Sequence, residues 1–186
     1  MSEILQRQGL GLNIVPGFVP VIIDARAFRP SYDRHGKLQV KDPSLLEHCG
    51  WHPGLVQQTV EDYPVAWQLF LSQARTIWQV GPKTVAEWDG FSVIVYCNAG
   101  LTRSVALSRV LALLLQSHAL PGLAGGHRVS VWHLSAQQGH ETERETGRKR
   151  RQGVPSCGGW CEQCCQGLPD AVAARIFSDF AHSAPA

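Results

Sequence analysis

An apolar, β-branched run at residues 93–96 stops at a short polar loop, and a long apolar helix is predicted directly after it, over residues 105–115. In such a strand–loop–helix unit, the backbone N–H groups of the loop and of the first helical turn surround one point and attract anions. Arg103 stands at the helix entrance, and its planar guanidinium suits two phosphate oxygens. Cys97 opens the loop, where the same field favours a thiolate. The segment therefore predicts a phosphate or anion site.

Length and composition predict one globular domain with modest appendages. The chain has 186 residues, of which 44% are hydrophobic and 17% are charged, so wholesale disorder is excluded. The formal net charge of +2 is too small for nucleic-acid binding by the whole surface. Any basic function must come from a local patch.

Cysteine usage and hydropathy predict an intracellular, cytoplasmic protein without a membrane partner. Four of the six cysteines lie within nine residues near the C-terminus, whereas a secreted disulfide framework spreads them more evenly. The first residues lack a positively charged start followed by an apolar run, so no signal peptide is predicted. Ser108 and Arg109 interrupt the apolar helix, which argues against a membrane span.

The order of elements predicts an α/β fold with a small, mostly parallel sheet, flanking helices and a short Cys-rich C-terminal tail. A β-branched run at 19–23 has the pattern of a buried parallel strand and delivers Asp24 and Arg26 at its carboxyl end, where ligands bind in such sheets. Those two residues either line a site or pair with each other and cap a neighbouring element. Two helices broken near Pro64 follow over 55–79.

The rest of the chain completes this organisation. A polar connection from Gly81-Pro82 to Asp89-Gly90 is predicted before the central strand, and alternation predicts a closing strand over 127–135. An amphipathic helix over 168–181 is predicted to dock on the core or on a partner. The predicted units are a leader (1–18), an α/β domain (19–135), a basic polar linker (136–156) and a Cys-rich segment with the C-terminal helix (157–186).

Three further segments have both a functional and a structural interpretation: a basic run, a cluster of cysteines and a short segment with two histidines. The run at 144–151 is basic and is either a solvated linker or a nucleic-acid patch. Four C-terminal cysteines have metal-ligand spacing in a turn-rich segment, which predicts structural zinc. A redox-active thiol pair and accidental clustering are the alternatives. The predicted zinc ligands are Cys157, Cys161, Cys164 and Cys165. His48, Cys49 and His52 form a weaker metal pattern and are better explained as loop residues that satisfy their neighbours.

Cys97, followed after five residues by Arg103 and Ser104, resembles the signature loop of protein tyrosine and dual-specificity phosphatases. The resemblance implies that the Cys97 thiolate attacks phosphorus, Arg103 holds two phosphate oxygens and Ser104 stabilises the leaving thiolate. Asp62 is the nearest upstream candidate for the general acid. Tyr96 stands where those phosphatases usually carry a histidine.

A broader resemblance covers most of the chain. The C-terminal domain of RapZ, a bacterial RNA-binding adaptor, has a loop of the form Cys-Thr-Gly-Gly-Lys-His-Arg-Ser-Val, to which residues 97–105 are similar. Residues 23–30 resemble the opening Asp-x-Arg-x-x-x-Asn-Pro of that domain, and 129–135 resemble its closing strand. Leu101 and Thr102 replace the Lys and His of the RapZ loop, and the kinase-like domain of RapZ, with its Gly-x-x-x-x-Gly-Lys loop, has no counterpart.

The RapZ resemblance implies a non-catalytic domain that binds a phosphorylated sugar or similar anion, with an RNA-binding or regulatory adaptor role. The alternatives are a cysteine-dependent phosphatase and a nucleic-acid binder that uses residues 144–151. The implied ligand-binding residues are Asp24, Arg26, Cys97, Asn98, Gly100, Thr102, Arg103, Ser104 and His133.

Overall fold

A computed structural model describes residues 21–28, 50, 52–88, 92–97, 103–117, 129, 131, 162 and 166–184. These residues form a small α/β fold with two parallel strands and four helices, which confirms the predicted class. The Cys-rich tail lies outside the described residues, apart from Glu162 and the segment from Gln166 onward. The elements are β1 (Val21–Asp24), a 3-10 helix (Ala25–Ala27), α1 (Pro53–Asp62), α2 (Pro64–Trp88), β2 (Val93–Tyr96), α3 (Arg103–Gln116) and α4 (Asp170–His182).

The two strands pair in parallel, with Ile23 opposite Val95 and Asp24 opposite Tyr96. Side chains alternate between the faces of a strand, so these two pairs lie on opposite faces of the sheet. Ile23 is 1% exposed and packs in the helical core, together with Val95. Ile22, on the other face, is 43% exposed. Of the apolar residues of β1, only Ile23 is therefore buried as expected.

The helical break near Pro64 is confirmed, and local chemistry explains it. Tyr63 separates α1 from α2 with φ −129° and ψ 60°, which is outside the helical region. A proline disfavours helical geometry in the residue before it, while its own fixed φ suits the first position of a helix. Pro53 begins α1 in the same way, and the His52 side chain caps this helix by accepting a hydrogen bond from the Gly54 N–H at 3.1 Å.

Replacing His52 with alanine is expected to lower the free energy of unfolding by about 1 kcal/mol, because the first turn of α1 loses its side-chain acceptor. His52→Asn restores an acceptor and should recover part of the loss. Gln57→Ala, an exposed change on the same helix, should stay within about 0.5 kcal/mol. Urea unfolding measures all three; equal stability of His52→Ala and the wild type would contradict the capping role.

Two predicted features differ from the structure. The helix α2 continues through Gly81-Pro82 to Trp88 instead of ending before a polar connection. A proline removes one hydrogen bond of the helical ladder, and the bonds on either side of it can persist.

Val129 and Val131, the two described residues of the predicted closing strand, are not in a strand. The Val129 carbonyl instead accepts a hydrogen bond from the Gln116 side chain at 3.2 Å, which ties it to the end of α3.

The amphipathic pattern near the C-terminus forms α4, and this helix docks on the core as predicted. Val172, Ile176 and Phe180 recur every four residues and are buried together with residues of α2 and α3. Polar contacts fix the orientation: the Trp67 indole N–H donates to Asp179 at 2.9 Å, and Arg75 donates to the Phe180 carbonyl at 3.1 Å. Within the described part of the chain, no helix combines the length and the apolar character needed to cross a membrane.

Candidate anion site at the carboxyl end of the sheet

Several of the predicted site residues gather where the two parallel strands end. The register places Asp24 level with Tyr96, Cys97 follows directly, and α3 begins at Arg103. The first turn of an α-helix carries backbone N–H groups that have no acceptor within the helix, and the positive end of the helix dipole lies at this end of α3. This is the edge at which α/β sheets bind ligands.

Cys97 and Ser104 are in contact although six residues separate them in the sequence. The sulfur lies 3.3 Å from the Ser104 hydroxyl oxygen, and Ser104 is 5% exposed in the first turn of α3. Cys97 is half-buried, packs partly against the core and forms no disulfide. A hydroxyl that donates to sulfur stabilises negative charge on it, so this pair suits either an anion-binding loop or a thiolate nucleophile.

Arg103 is joined to the turn that follows β1. Its Nη1 donates to the Phe28 carbonyl oxygen at 3.1 Å, and the residue is half-buried. Nε and Nη2 form the opposite edge of the guanidinium, the edge that grips two oxygens side by side. Neither atom has a hydrogen-bond partner among the described residues. Arg103 is therefore held at one corner, and no described residue occupies this Nε–Nη2 edge, which we call the fork of the arginine.

Arg26 differs, because its fork is filled. Nε and Nη2 donate to both carboxylate oxygens of Asp24 at 2.6 to 3.0 Å, and Nη2 also donates to the Tyr96 hydroxyl at 2.9 Å. Asp24 further accepts from the Arg26 backbone N–H at 2.9 Å and so caps the 3-10 helix. Of the two interpretations of Asp24 and Arg26, mutual pairing with a capping role is the arrangement in the structure. Tyr96 joins this cluster, which we name the Asp24–Arg26–Tyr96 cluster.

Tyr96 was not among the predicted site residues. Its position as the last residue of a strand was readable from the sequence, but its pairing with Asp24 depends on the register of two strands far apart in the chain. The guanidinium carbon of Arg26 lies 5.0 Å from the centre of the Tyr96 ring, so the ring also supports the cation through its face.

Strand alternation separates these contacts into two groups. Cys97 packs on the helix-covered face with Val93 and Val95, whereas Asp24 and Tyr96 belong to the opposite face. Arg103 is tied to Phe28, just beyond the 3-10 helix that carries Arg26. The Cys97–Ser104 pair and the Asp24–Arg26–Tyr96 cluster therefore lie at the same end of the sheet but on opposite faces of it.

Hydrogen bonds from Arg26 hold the pKa of Asp24 well below its ordinary value of 3.8, and the carboxylate in turn raises the pKa of Arg26. Hydrogen bonding to Asp24, followed by desolvation, raises the pKa of Tyr96, so the phenol stays neutral.

The depressed pKa of Asp24 predicts a pH dependence of stability. A carboxyl group with a lower pKa in the folded state contributes stability at pH values above its unfolded pKa, and this contribution is lost as the pH falls. The stability difference between the wild type and Asp24→Asn should be constant above about pH 5 and shrink towards about pH 2. The effect is small because the pair is solvent-exposed. Urea unfolding across this range measures it, and a pH-independent difference would contradict the ion pair.

Asp62, the candidate general acid, is the last residue of α1. The next residue, Tyr63, packs its ring edge-on against Phe28, with 5.9 Å between ring centres. Because the Phe28 carbonyl accepts from Arg103, Asp62 is linked to the site through Tyr63 and Phe28. The role of Asp62 as general acid stays a prediction.

The other predicted functional residues lie outside the described part of the chain. Among the described residues no three histidine, cysteine or acidic side chains come together as a metal site. The zinc hypothesis stays a prediction, as does the role of the basic run. The residues concerned are Asn98, Gly100, Thr102, His133, Cys157, Cys161, Cys164, Cys165 and the run 144–151, together with His48 and Cys49 of the weaker metal pattern.

Comparisons of the chain with known protein families, characterised proteins and solved structures found no match.

Proposed function

We propose that this chain binds a phosphorylated small molecule, a phosphosugar or similar anion, at the carboxyl end of its parallel sheet, in the manner of the RapZ C-terminal domain that residues 20–135 resemble. The phosphate is bound by Arg103 and by the N-terminal end of α3, next to Cys97 and Ser104. The RNA-binding or adaptor role implied by the same resemblance is a further proposal, and nucleic-acid binding through residues 144–151 is a separate one.

The observation that carries the proposal is the contrast between the two arginines at this edge. Arg26 belongs to the turn after β1 and Arg103 donates to Phe28 in that turn, but the Arg26 fork is closed by Asp24 while the Arg103 fork has no partner among the described residues. The contact with Phe28 orients Arg103 in advance, so little side-chain entropy is lost when an anion binds. The N-terminus of the adjacent helix favours the same negative charge.

Calorimetry with hexosamine phosphates and inorganic phosphate tests the proposal, with nucleotides as a comparison. We expect saturable binding that weakens with salt, because the interaction is between charges. A folded protein that binds neither hexosamine phosphate nor inorganic phosphate would contradict the proposed function.

A cysteine-dependent phosphatase is the second candidate, and the contact of 3.3 Å between Cys97 and Ser104 favours it. In that reaction the Cys97 thiolate forms a bond to phosphorus while the bond from phosphorus to the leaving oxygen breaks. Asp62 protonates that oxygen, and water then hydrolyses the phosphocysteine with the thiolate leaving. Arg103 holds the phosphate oxygens in both steps.

Cys97→Ser distinguishes the two candidates, because a hydroxyl is a much weaker nucleophile but leaves the Arg103 fork in place. If the chain is a phosphatase, hydrolysis of an aryl phosphate is expected to fall at least about 1,000-fold, whereas phosphate affinity changes less than about threefold. Activity that survives Cys97→Ser would rule out the phosphatase mechanism. Binding without any hydrolysis by the wild type would favour the non-catalytic domain.

A further inference from the structure

Arg26 lies at the same end of the sheet as Arg103, yet its binding edge is occupied by the chain itself. Both carboxylate oxygens of Asp24 accept from Nε and Nη2, and the shortest of these bonds is 2.6 Å. The Tyr96 hydroxyl accepts from Nη2 at 2.9 Å, and the Tyr96 ring lies under the guanidinium. The carboxylate of Asp24 thus takes the place that a phosphate would take on an open fork.

We infer that Asp24 is a specificity-determining residue that denies the ligand any gain in affinity from a second phosphate group, because it occupies the fork of Arg26 that would otherwise bind that group. The inference rests on the proposed function, since it requires one phosphate to be bound at Arg103.

The charges at this edge support the restriction. Arg103 supplies one positive charge with an open fork, whereas Asp24 and Arg26 sum to zero and Tyr96 is neutral. A second phosphate beside the Asp24–Arg26–Tyr96 cluster would meet an ionised carboxylate and a guanidinium that has lost its bidentate edge. A neutral part of a ligand meets no such repulsion.

The two arginines belong to elements that are in contact, because the 3-10 helix that carries Arg26 packs against α3, which begins at Arg103. Arg26 is two residues before Phe28, and the Phe28 carbonyl is the acceptor that holds Arg103. Opening the fork of Arg26 would therefore place a second cationic site beside the first. Asp24→Asn does this with little other change, because an asparagine side-chain oxygen still caps the 3-10 helix.

Equilibrium binding of fructose 6-phosphate and fructose 1,6-bisphosphate to the full chain tests the inference. The wild type should bind the bisphosphate within about threefold of the monophosphate, which allows for its two phosphate ends. Asp24→Asn should raise the preference for the bisphosphate about tenfold, because Arg26 gains an anionic partner. The matched control, Asp24→Asn with Arg26→Gln, keeps the pair neutral and should return the preference to the wild-type value.

Asp24→Ser also keeps a side-chain oxygen for the cap and vacates the fork, so it should raise the preference about tenfold as well; it serves if Asp24→Asn fails to fold. An unchanged preference in the folded variants that still bind the monophosphate would overturn the inference alone. So would a wild type that already prefers the bisphosphate tenfold. Failure of the folded wild type to bind either sugar phosphate would overturn the proposed function and this inference with it.

Discussion

Arg103→Gln is expected to weaken the binding of inorganic phosphate about 100-fold. The substitution removes a positive charge and both donors of the open fork, and hydrogen bonds to charged groups contribute about 1.5–3 kcal/mol each. Arg103→Lys keeps the charge but loses the planar fork, so its loss should be smaller, about tenfold. Calorimetry at constant ionic strength measures both variants.

Arg175→Gln provides the matched control for loss of an arginine. Arg175 lies on α4, where it pairs with Asp179 and not with any residue of the proposed site. Phosphate affinity should stay within about twofold of the wild type. Equal losses in Arg103→Gln and Arg175→Gln would show that phosphate responds to net charge alone, which contradicts a defined site at Arg103.

Phe180→Ala is expected to lower the free energy of unfolding by about 3–5 kcal/mol. The Phe180 side chain is 0% exposed, and its ring meets Trp78 edge-on with 6.3 Å between ring centres. Arg75 adds a contact to the face of the same ring at 5.2 Å and a hydrogen bond to the Phe180 carbonyl. Truncation leaves a cavity between α2 and α4 that the surrounding helices fill only in part.

Phe177→Ala is the matched comparison on the same helix. Phe177 is only partly buried at the edge of the core, so its truncation should cost roughly 1–2 kcal/mol. Urea unfolding of both variants compares the two positions. A smaller loss in Phe180→Ala than in Phe177→Ala would mean that α4 is not docked through the face that carries Val172, Ile176 and Phe180.

Local patterns were sufficient to predict most of the described elements. Pro64 separates two helices because of its fixed geometry, and the β-branched runs before Asp24 and Cys97 form the parallel pair. The spacing of Val172, Ile176 and Phe180 predicted which face of α4 is buried. Each of these features is decided within about ten residues of sequence.

The arrangement of the site could be predicted only in part. The sequence places Cys97 and Arg103 at a strand end and a helix start, and the structure adds the contacts of Cys97 with Ser104 and of Arg103 with Phe28. Which arginine keeps an open fork could not be predicted, because long side chains choose among partners that come together only in three dimensions. Asp24 and Arg26 illustrate this: the sequence left ligand binding and mutual pairing equally open.

The two errors have the same origin. Gly81-Pro82 has the composition of a break, yet α2 continues to Trp88, since local propensity is a weak preference that tertiary context overrides. Alternation over 127–135 predicted a strand, but its two described residues, Val129 and Val131, are not in one. A strand also needs a neighbour to pair with, and the sequence does not supply that information.

Titration with inorganic phosphate, followed by the arginine side-chain Nε–H signals in a 1H–15N spectrum, tests whether Arg103 is the residue that binds phosphate. The Arg103 signal, assigned by its disappearance in Arg103→Lys, is expected to shift saturably, because its Nε has no partner among the described residues. The Arg26 signal should stay in place, since Asp24 already holds its Nε. An Arg103 signal that does not move, or a shift of Arg26 alone, would contradict the account.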